Sequence, residues 1–316
     1  MTQRHTNSLD TTDAGLAQAV QVLAEGGLVS FPTETVYGLG ADATNDRAVA
    51  GIFQAKGRPS FNPLIAHVSD VEMAKRYVDW NDQAQILADA FWPGPVSLVL
   101  PLKPDCGLSH LVTAELPSLA VRMPAHPIAA RLLSQLDRPI AAPSANPSGK
   151  ISPTTAAHVL NGLNGRIDAV IDGGACGVGI ESTIIGLLDK PTLLRPGGLP
   201  AEVVEAALAS KLHRDTSPDT LIAPGQMSSH YAPGSSVRLD ATEWQEGELR
   251  LGFGKVDCDL NLSATEDLIE AAANLFHHLH ALDKMNGNAI AVSPIPMTGL
   301  GIAINDRLNR AAAPRG

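Results

Sequence analysis

The sequence predicts an α/β protein built as two domains joined by a long linker. Three observations carry that reading. Short apolar runs of strand length alternate with segments of helical period, the pattern of a layered α/β sheet. At 316 residues the chain is too long for one ordinary core. From His213 to Ser236 the pattern lapses into HRDTSPDTLIAPGQMSSHYAPGSS, with several Pro, Gly and Ser, before a small α/β unit begins. The expected divisions are a disordered N-terminus over 1–12, a first domain over 13–212, a linker or lid over 213–236, and a second domain over 237–316.

The elements follow in order. Asp13 is expected to cap a helix carrying Leu16, Ala17, Val20, Leu23 and Ala24, which Gly26-Gly27 ends. Leu28 to Phe31 reads as a strand stopped by Pro32. The hydroxyl- and Gly-rich stretch Thr33 to Gly40 reads as a loop. A helix spans about Asp46 to Ala55, and Leu64 to Val68 is a strand. Val71–Tyr77 and Gln83–Trp92 read as helices, and Trp92-Pro93-Gly94-Pro95 breaks the chain before a strand over Val96–Leu100. Leu119–Met123 is a strand, Pro127–Leu136 a helix and Pro139–Ala142 a short strand. Thr154–Leu163 is a helix capped from Ser152, and Ala169–Asp172 a strand. Ser182–Leu188 and Thr192–Arg195 are strands able to pair antiparallel, and Pro200–Leu212 is a helix with Pro at its start. In the second unit, Glu248–Phe253 and Ala289–Val292 are strands, and Thr265–Leu282 and Gly301–Ala313 are helices.

Composition narrows the function. The net charge of −10 opposes non-specific binding to nucleic acid over the whole surface, although a local basic cleft remains open. The three cysteines, Cys106, Cys176 and Cys258, lie far apart with no C-x-x-C, so neither a disulfide framework nor a zinc site is expected, and a reducing cytoplasm fits. The N-terminal MTQRHTNSLDTTDAG has no apolar core and is not a signal peptide. No apolar run reaches the length of a membrane span. There is no phosphate-binding G-x-x-x-x-G-K-[ST] motif, no H-E-x-x-H and no G-x-S-x-G. His277, His278 and His280 share one helix and read as a solvated face rather than a metal site.

Four stretches carry chemistry. Lys56-Gly57-Arg58-Pro59, with Asn62, can present a point charge and a guanidinium fork to one anion. A helix C-terminus complemented by cations explains the same residues equally well. Pro143-Ser144-Ala145-Asn146 offers a hydroxyl and an amide on a stiff turn, or is an ordinary turn. Glu181-Ser182-Thr183 can line a pocket or simply start a strand. His230-Tyr231-Ala232-Pro233 can form a lid over a site, or pin the linker to the domain surface. Arg122 alternates against Val121 and Met123 and needs an anionic partner if its side is buried, a ligand carboxylate being one candidate. Arg195 is placed similarly, and His67 is either a satisfied core histidine or a ligand contact.

Taken together, PTETVYGLG, K-x-R-P-x-x-x-P-L-x-x-H, A-V-R-M-P, A-P-S-A-N, E-S-T-I and L-R-P-G stand in the order of the YrdC-domain family. The tail, PGQMSSHYAP followed by a unit ending GLGIAINDRLNRAA, resembles the long two-domain form. The resemblance spans about residues 13–313. It implies an open twisted YrdC-like sheet with a large concave cleft and a small Rossmann-like C-terminal domain, the linker crossing the cleft mouth. It implies threonylcarbamoyl-AMP synthesis from L-threonine, bicarbonate and ATP with release of pyrophosphate, for the threonylcarbamoyl modification of the adenosine beside the tRNA anticodon. By resemblance, Lys56 and Arg58 are the catalytic cations, and Arg58, Asn62, Ser118, Ser144, Asn146, Ser152, Arg195 and Tyr231 bind ATP. Thr35, His67, Arg122, Ala142 and Ser182 surround the threonine. Mg2+ is expected on the ATP phosphates rather than on protein side chains. The expected partners are the three substrates and the downstream tRNA threonylcarbamoyl-transfer machinery, with tRNA binding at most weak, no membrane and a cytoplasmic setting.

Overall fold

A computed structural model describes residues 5–214, 230–285 and 287–314. The strands are β1 (Asn7–Leu9), β2 (Val29–Phe31), β3 (Gly38–Asp42), β4 (Ile65–His67), β5 (Val96–Pro101), β6 (Ser118–Arg122), β7 (Ile140–Ala141), β8 (Ala169–Ile171), β9 (Thr183–Gly186), β10 (Thr192–Arg195) and β11 (His213–Arg214), then β12 (Ser236–Arg238), β13 (Glu248–Gly252), β14 (Leu260–Asn261) and β15 (Ala289–Val292). The first eleven make one mixed sheet in the order β1-β8-β2-β3-β7-β4-β6-β5-β9-β10-β11. The last four make a parallel sheet in the order β12-β15-β13-β14, with helices Leu268–Asp283 and Leu300–Ala312 beside it in sequence. The expected α/β architecture, with a large sheet and a second smaller one, is what forms. Among the described residues no helix is long and apolar enough to cross a membrane.

Several local expectations change. Residues 7–9 are not disordered: β1 pairs in parallel with β8, and the Thr6 hydroxyl donates to the Ile167 carbonyl at 2.9 Å. The sheet edge supplies partners that a polar terminus alone does not advertise. The first helix, Asp13–Ala24, is capped by Thr12, whose hydroxyl accepts from Gly15 N, and not by Asp13. The helix expected from Thr154 under a Ser152 cap is Ala156–Leu163, capped by Thr155. The stretch read as a glycine loop contains β3. Strands β2 and β7 crowd it, and a Cβ on Gly40 would lie 2.8 Å from Phe31 and 2.9 Å from Ile140, so glycine is what fits between them. Of the expected linker, residues 215–229 lie outside the described residues.

Two packing features place the site. Strands β4 and β6 run parallel with His67 opposite Arg122, and β7 lies antiparallel to β4 with Ile140 opposite His67. These two candidate site residues thus stand at the same end of the sheet, the carboxyl end of β4 and β6, where ligands of α/β proteins bind. The second unit then closes on the first. Val36, Ile151 and Ile180 of the first unit join Leu251, Leu275, Phe276, Ile290 and Ile304 of the second in one apolar cluster. Gly179, at φ +78°, lies so close to helix Leu268–Asp283 that a Cβ there would be 2.5 Å from Ala272 O and Ala273 Cα. The three histidines of that helix are not a solvated face as a group. His280 stacks on His158 of the first unit with ring centroids 4.0 Å apart, and His277 lies 5.5 Å from His158.

Candidate active site

Arg58, Arg122, Arg195, His67, Thr35, Ala142, Ser144, Ser182 and Tyr231 all line one pocket, although they span most of the chain. Glu181 and His230, from two of the stretches singled out above, line it too, as does Thr33, to which sequence reasoning gave no role. The space inside is about 50 Å3, and His230 and Tyr231, both buried, form part of its lining. That is room for a few waters. Tyr231 packs against Phe276 at 5.4 Å and against His230 at 4.1 Å. Burial pushes its hydroxyl up to about 12, so it stays protonated.

The guanidinium groups are held by different elements. Arg58 follows helix Asp46–Lys56, which Asn45 caps and Gly57 ends at φ +61°. Its Nε and Nη2 donate to the Asn62 and Pro63 carbonyls at 3.3 and 3.0 Å. Burial, with a smaller push from Arg195, lowers it to about 10, so it remains a cation at neutral pH. Arg122 donates from Nη2 to Glu34 Oε1 at 2.6 Å and from Nε to the Gly94 carbonyl at 3.2 Å. Glu34 also accepts from Ala125 N at 3.1 Å. Arg195 reaches back over its own hairpin, with Nη2 2.8 Å from the Ser182 carbonyl and 3.2 Å from its hydroxyl. The Ser182 hydroxyl lies 2.8 Å from that of Ser97, and the Thr35 hydroxyl 2.8 Å from that of Thr33. His67 is buried, its Nδ1 has no hydrogen-bond partner among the described residues, and burial followed by Arg122 lowers it to about 3. It is therefore a neutral imidazole.

Five residues expected at the site do not line the pocket: Lys56, Asn62, Ser118, Asn146 and Ser152. Lys56 is the instructive one. It is 3% exposed, and its Nζ donates to the Ser144 and Asn146 carbonyls. It holds the PSAN turn from behind instead of meeting an anion beside Arg58. Burial, then Arg58, pushes its ammonium well below the ordinary lysine range. Asn146 in turn donates to the Pro147 and Lys150 carbonyls. The contacts join these residues in one turn: Lys56 and Asn146 shape the loop that presents Ser144. Ser152 donates to Glu181 Oε1 at 2.5 Å and supports that carboxylate from outside. Ser118 opens β6 next to Pro101 of β5, at the opposite end of the strand from Arg122.

The family model described as "Telomere recombination" matches residues 21–197, and the one described as "Threonylcarbamoyl-AMP synthase, C-terminal domain" matches residues 199–313. The threonylcarbamoyl-AMP synthase of Bacillus subtilis is 42% identical, over 98% of this chain and 96% of that protein. The chain belongs to the threonylcarbamoyl-AMP synthase family. The synthase of Pyrococcus abyssi is likewise 42% identical, over 94% of each chain. The crystal structure of P. abyssi Sua5 complexed with L-threonine superposes with a TM-score of 0.89 at 38% identity, covering 97% of both chains. Because the match runs through both units, this family member carries the two-domain form.

Proposed function

We propose that this chain condenses L-threonine, bicarbonate and ATP into L-threonylcarbamoyladenylate with release of pyrophosphate. The observation that carries the reading is the convergence of Arg58, Arg122 and Arg195 with Thr33, Thr35, Ser144 and Ser182 on one pocket. Both reactants are anions, so bringing them together requires cations and fixed donors in a site from which water can be excluded.

Threonine lies at the β4–β6 end. Arg122 takes its carboxylate, and the Glu34 pair keeps the guanidinium oriented while it does so. Thr35, Ser182 and the Ala142 backbone frame the remainder, and His67, neutral, can accept or donate a hydrogen bond without adding charge. The neutral amine and bicarbonate give the carbamate with loss of one water, and the carbamate oxygen attacks the α-phosphorus as the bond to pyrophosphate breaks and pyrophosphate leaves. Arg58, Arg195 and Ser144 hold the phosphates, while Lys56, Asn146 and Asn62 keep the loops that present them. MgATP is the substrate, and the ion rides on its phosphates. Ser152 serves the nucleotide only through Glu181, and Ser118, at the far end of β6, is given no contact with it.

Nucleotide needs more room than the closed pocket leaves, so the His230–Tyr231 strap swings out to admit it and returns over it. Closure protects the carbamate, which would otherwise lose CO2. In this reading 13–212 is the catalytic domain, 213–236 the strap, 237–316 the C-terminal domain, and the adenylate passes to tRNA threonylcarbamoyl-transfer machinery in the cytoplasm. ATP–pyrophosphate exchange in the presence of threonine and bicarbonate tests the proposal. Exchange dependent on both co-substrates and lost in Arg58→Ala is expected; exchange indifferent to threonine would defeat it.

A further inference from the structure

We infer that Arg307, on the last helix of the C-terminal unit, is a positioning residue for nucleotide binding. It fixes Glu181, the turn after Arg195 and the Tyr231 ring in one arrangement of the pocket wall. The inference rests on the activity proposed above and gives the C-terminal domain a part in it.

Arg307 is fully buried at 0% exposure, yet it does not line the pocket. Its Nε donates to Glu181 Oε2 at 2.9 Å. Its Nη1 donates to the Pro196 carbonyl at 2.5 Å and to Asp306 Oδ2 at 3.0 Å. The guanidinium carbon lies 5.6 Å from the centre of the Tyr231 ring. Glu181, Arg195 and Tyr231 all do line the pocket. One side chain of the second unit therefore backs two residues of the wall, Glu181 and Tyr231, and holds the carbonyl of Pro196, the residue after a third, Arg195.

Domain docking alone does not call for this charge. Val36, Ile151 and Ile180 already seal the two units through apolar contact with Leu275 and Phe276. A buried guanidinium is costly unless it is paired and hydrogen-bonded, and even a paired one is no better for docking than apolar contact. Here the partner is a carboxylate in a pocket meant for a polyanion. Burial by itself would push the Glu181 carboxyl up, but Arg307, then Arg195 and the Ser152 hydroxyl, outweigh that and hold it below its ordinary range. Glu181 is therefore ionised and needs neutralising. Its main chain is part of the same wall, since Gly198 N donates to the Glu181 carbonyl at 2.9 Å.

Without Arg307, two outcomes are open to Glu181, and both harm the nucleotide. It can recruit Arg195 away from Ser182, or it can stay an uncompensated negative charge beside the phosphates. The strap suffers as well. Tyr231 sits at φ +61°, a conformation that non-glycine residues adopt only when held. His230 N to the Arg310 carbonyl at 3.2 Å, Ala232 N to the Gly149 carbonyl at 2.9 Å and the Arg307 guanidinium behind the ring are what hold it.

The test uses the full chain and a fluorescent ATP analogue with Mg2+, comparing wild type, Arg307→Met, Arg307→Lys, Glu181→Gln and the Arg307→Met/Glu181→Gln double variant. Arg307→Met is expected to weaken nucleotide binding by about tenfold or more, and Arg307→Lys to recover part of that. The double variant is expected to bind within about threefold of Glu181→Gln alone, because the charge that Arg307 compensates has gone. Urea midpoints are read on the same variants, because a merely structural arginine would lower the midpoint and leave the nucleotide affinity of the folded protein unchanged. Binding by Arg307→Met within about threefold of wild type, or single effects that simply multiply in the double variant, overturns the inference. Should Arg307→Met not fold, the double variant, which buries no lone charge, decides alone: nucleotide binding well below that of Glu181→Gln rejects the inference. If wild type made no pyrophosphate, the synthase reading would fall, while the ratios of nucleotide affinity would still judge Arg307.

Discussion

Arg122→Met is the most informative single change at the threonine end of the pocket. The side chain is 4% exposed, and its carboxylate partner among the described residues, Glu34, is 13% exposed. Methionine fills most of the volume but removes the charge. A charge-assisted hydrogen bond to a carboxylate contributes roughly 1.5–3 kcal/mol, so threonine should bind about 10- to 150-fold more weakly. The same change strands Glu34, and removing one member of a buried pair costs about 3–5 kcal/mol of stability. The two effects separate in Arg122→Met/Glu34→Gln, which should regain much of the stability and none of the threonine affinity. Isothermal titration with L-threonine reads the first quantity and urea unfolding the second. ATP affinity should change little, since Arg58 and Arg195 are untouched. Threonine binding by Arg122→Met within about threefold of wild type would refute the placement of the carboxylate, because no charge-assisted bond is worth so little in a closed site.

Other consequences follow from the same geometry. Lys56→Met leaves the Ser144 and Asn146 carbonyls without their donor, and should lower stability by about 1–3 kcal/mol and raise the ATP KM through a loosened turn; an unchanged melting temperature together with an unchanged KM would contradict that role. Gly179→Ala forces a Cβ into the backbone of helix Leu268–Asp283 at a positive φ. It should cost on the order of 1–3 kcal/mol and split the calorimetric transition, whereas a single wild-type-like transition would count against tight docking. Burial lowers His67, His158 and His230 to about 3 and His280 to about 4, so each is neutral when folded and takes up a proton when unfolded below its usual 6.5. Stability should therefore be level above about pH 7 and fall steadily as pH drops from 6.5 toward 4, measured by urea midpoints; a flat profile across that range would show that these rings are not held neutral.

Much of the site was legible because its chemistry is carried by residue types that local sequence can place. Strand alternation for Arg122, a helix end for Arg58 and a Pro-stiffened turn for Ser144 nominated these residues while leaving an ordinary structural reading open, and the resemblance to the family chose between the two. Other roles were invisible. Lys56 and Arg58, two residues apart, read as a pair facing one anion, but Lys56 is the last residue of the helix and points to carbonyls 88 and 90 positions away. Nothing in KGRP states that direction. Glu34 lay in plain view within PTETVYG, but its task is to orient an arginine 88 positions along the chain. The only local sign was that an acidic residue stood in a stretch otherwise apolar or hydroxylic. The histidines of helix Leu268–Asp283 looked solvated because their partner, His158, belongs to the other unit. Strand β3 was missed because its glycines are there for the strands on either side, a constraint that propensity does not contain.

By itself the sequence determined the α/β class, most of the elements, the motifs that mark the family and the set of charged and hydroxylic residues able to serve an adenylation. Those follow from period, turn chemistry and side-chain type, all of them short-range properties of the chain. Only the tertiary structure decided which cations face the pocket and which brace it, that His230 and Tyr231 join its lining, and that Arg307 backs it from the second unit. These depend on sheet order and on how two units seat against each other. Direction and burial in three dimensions, not residue identity, fix whether a charge meets a substrate or a neighbouring carbonyl.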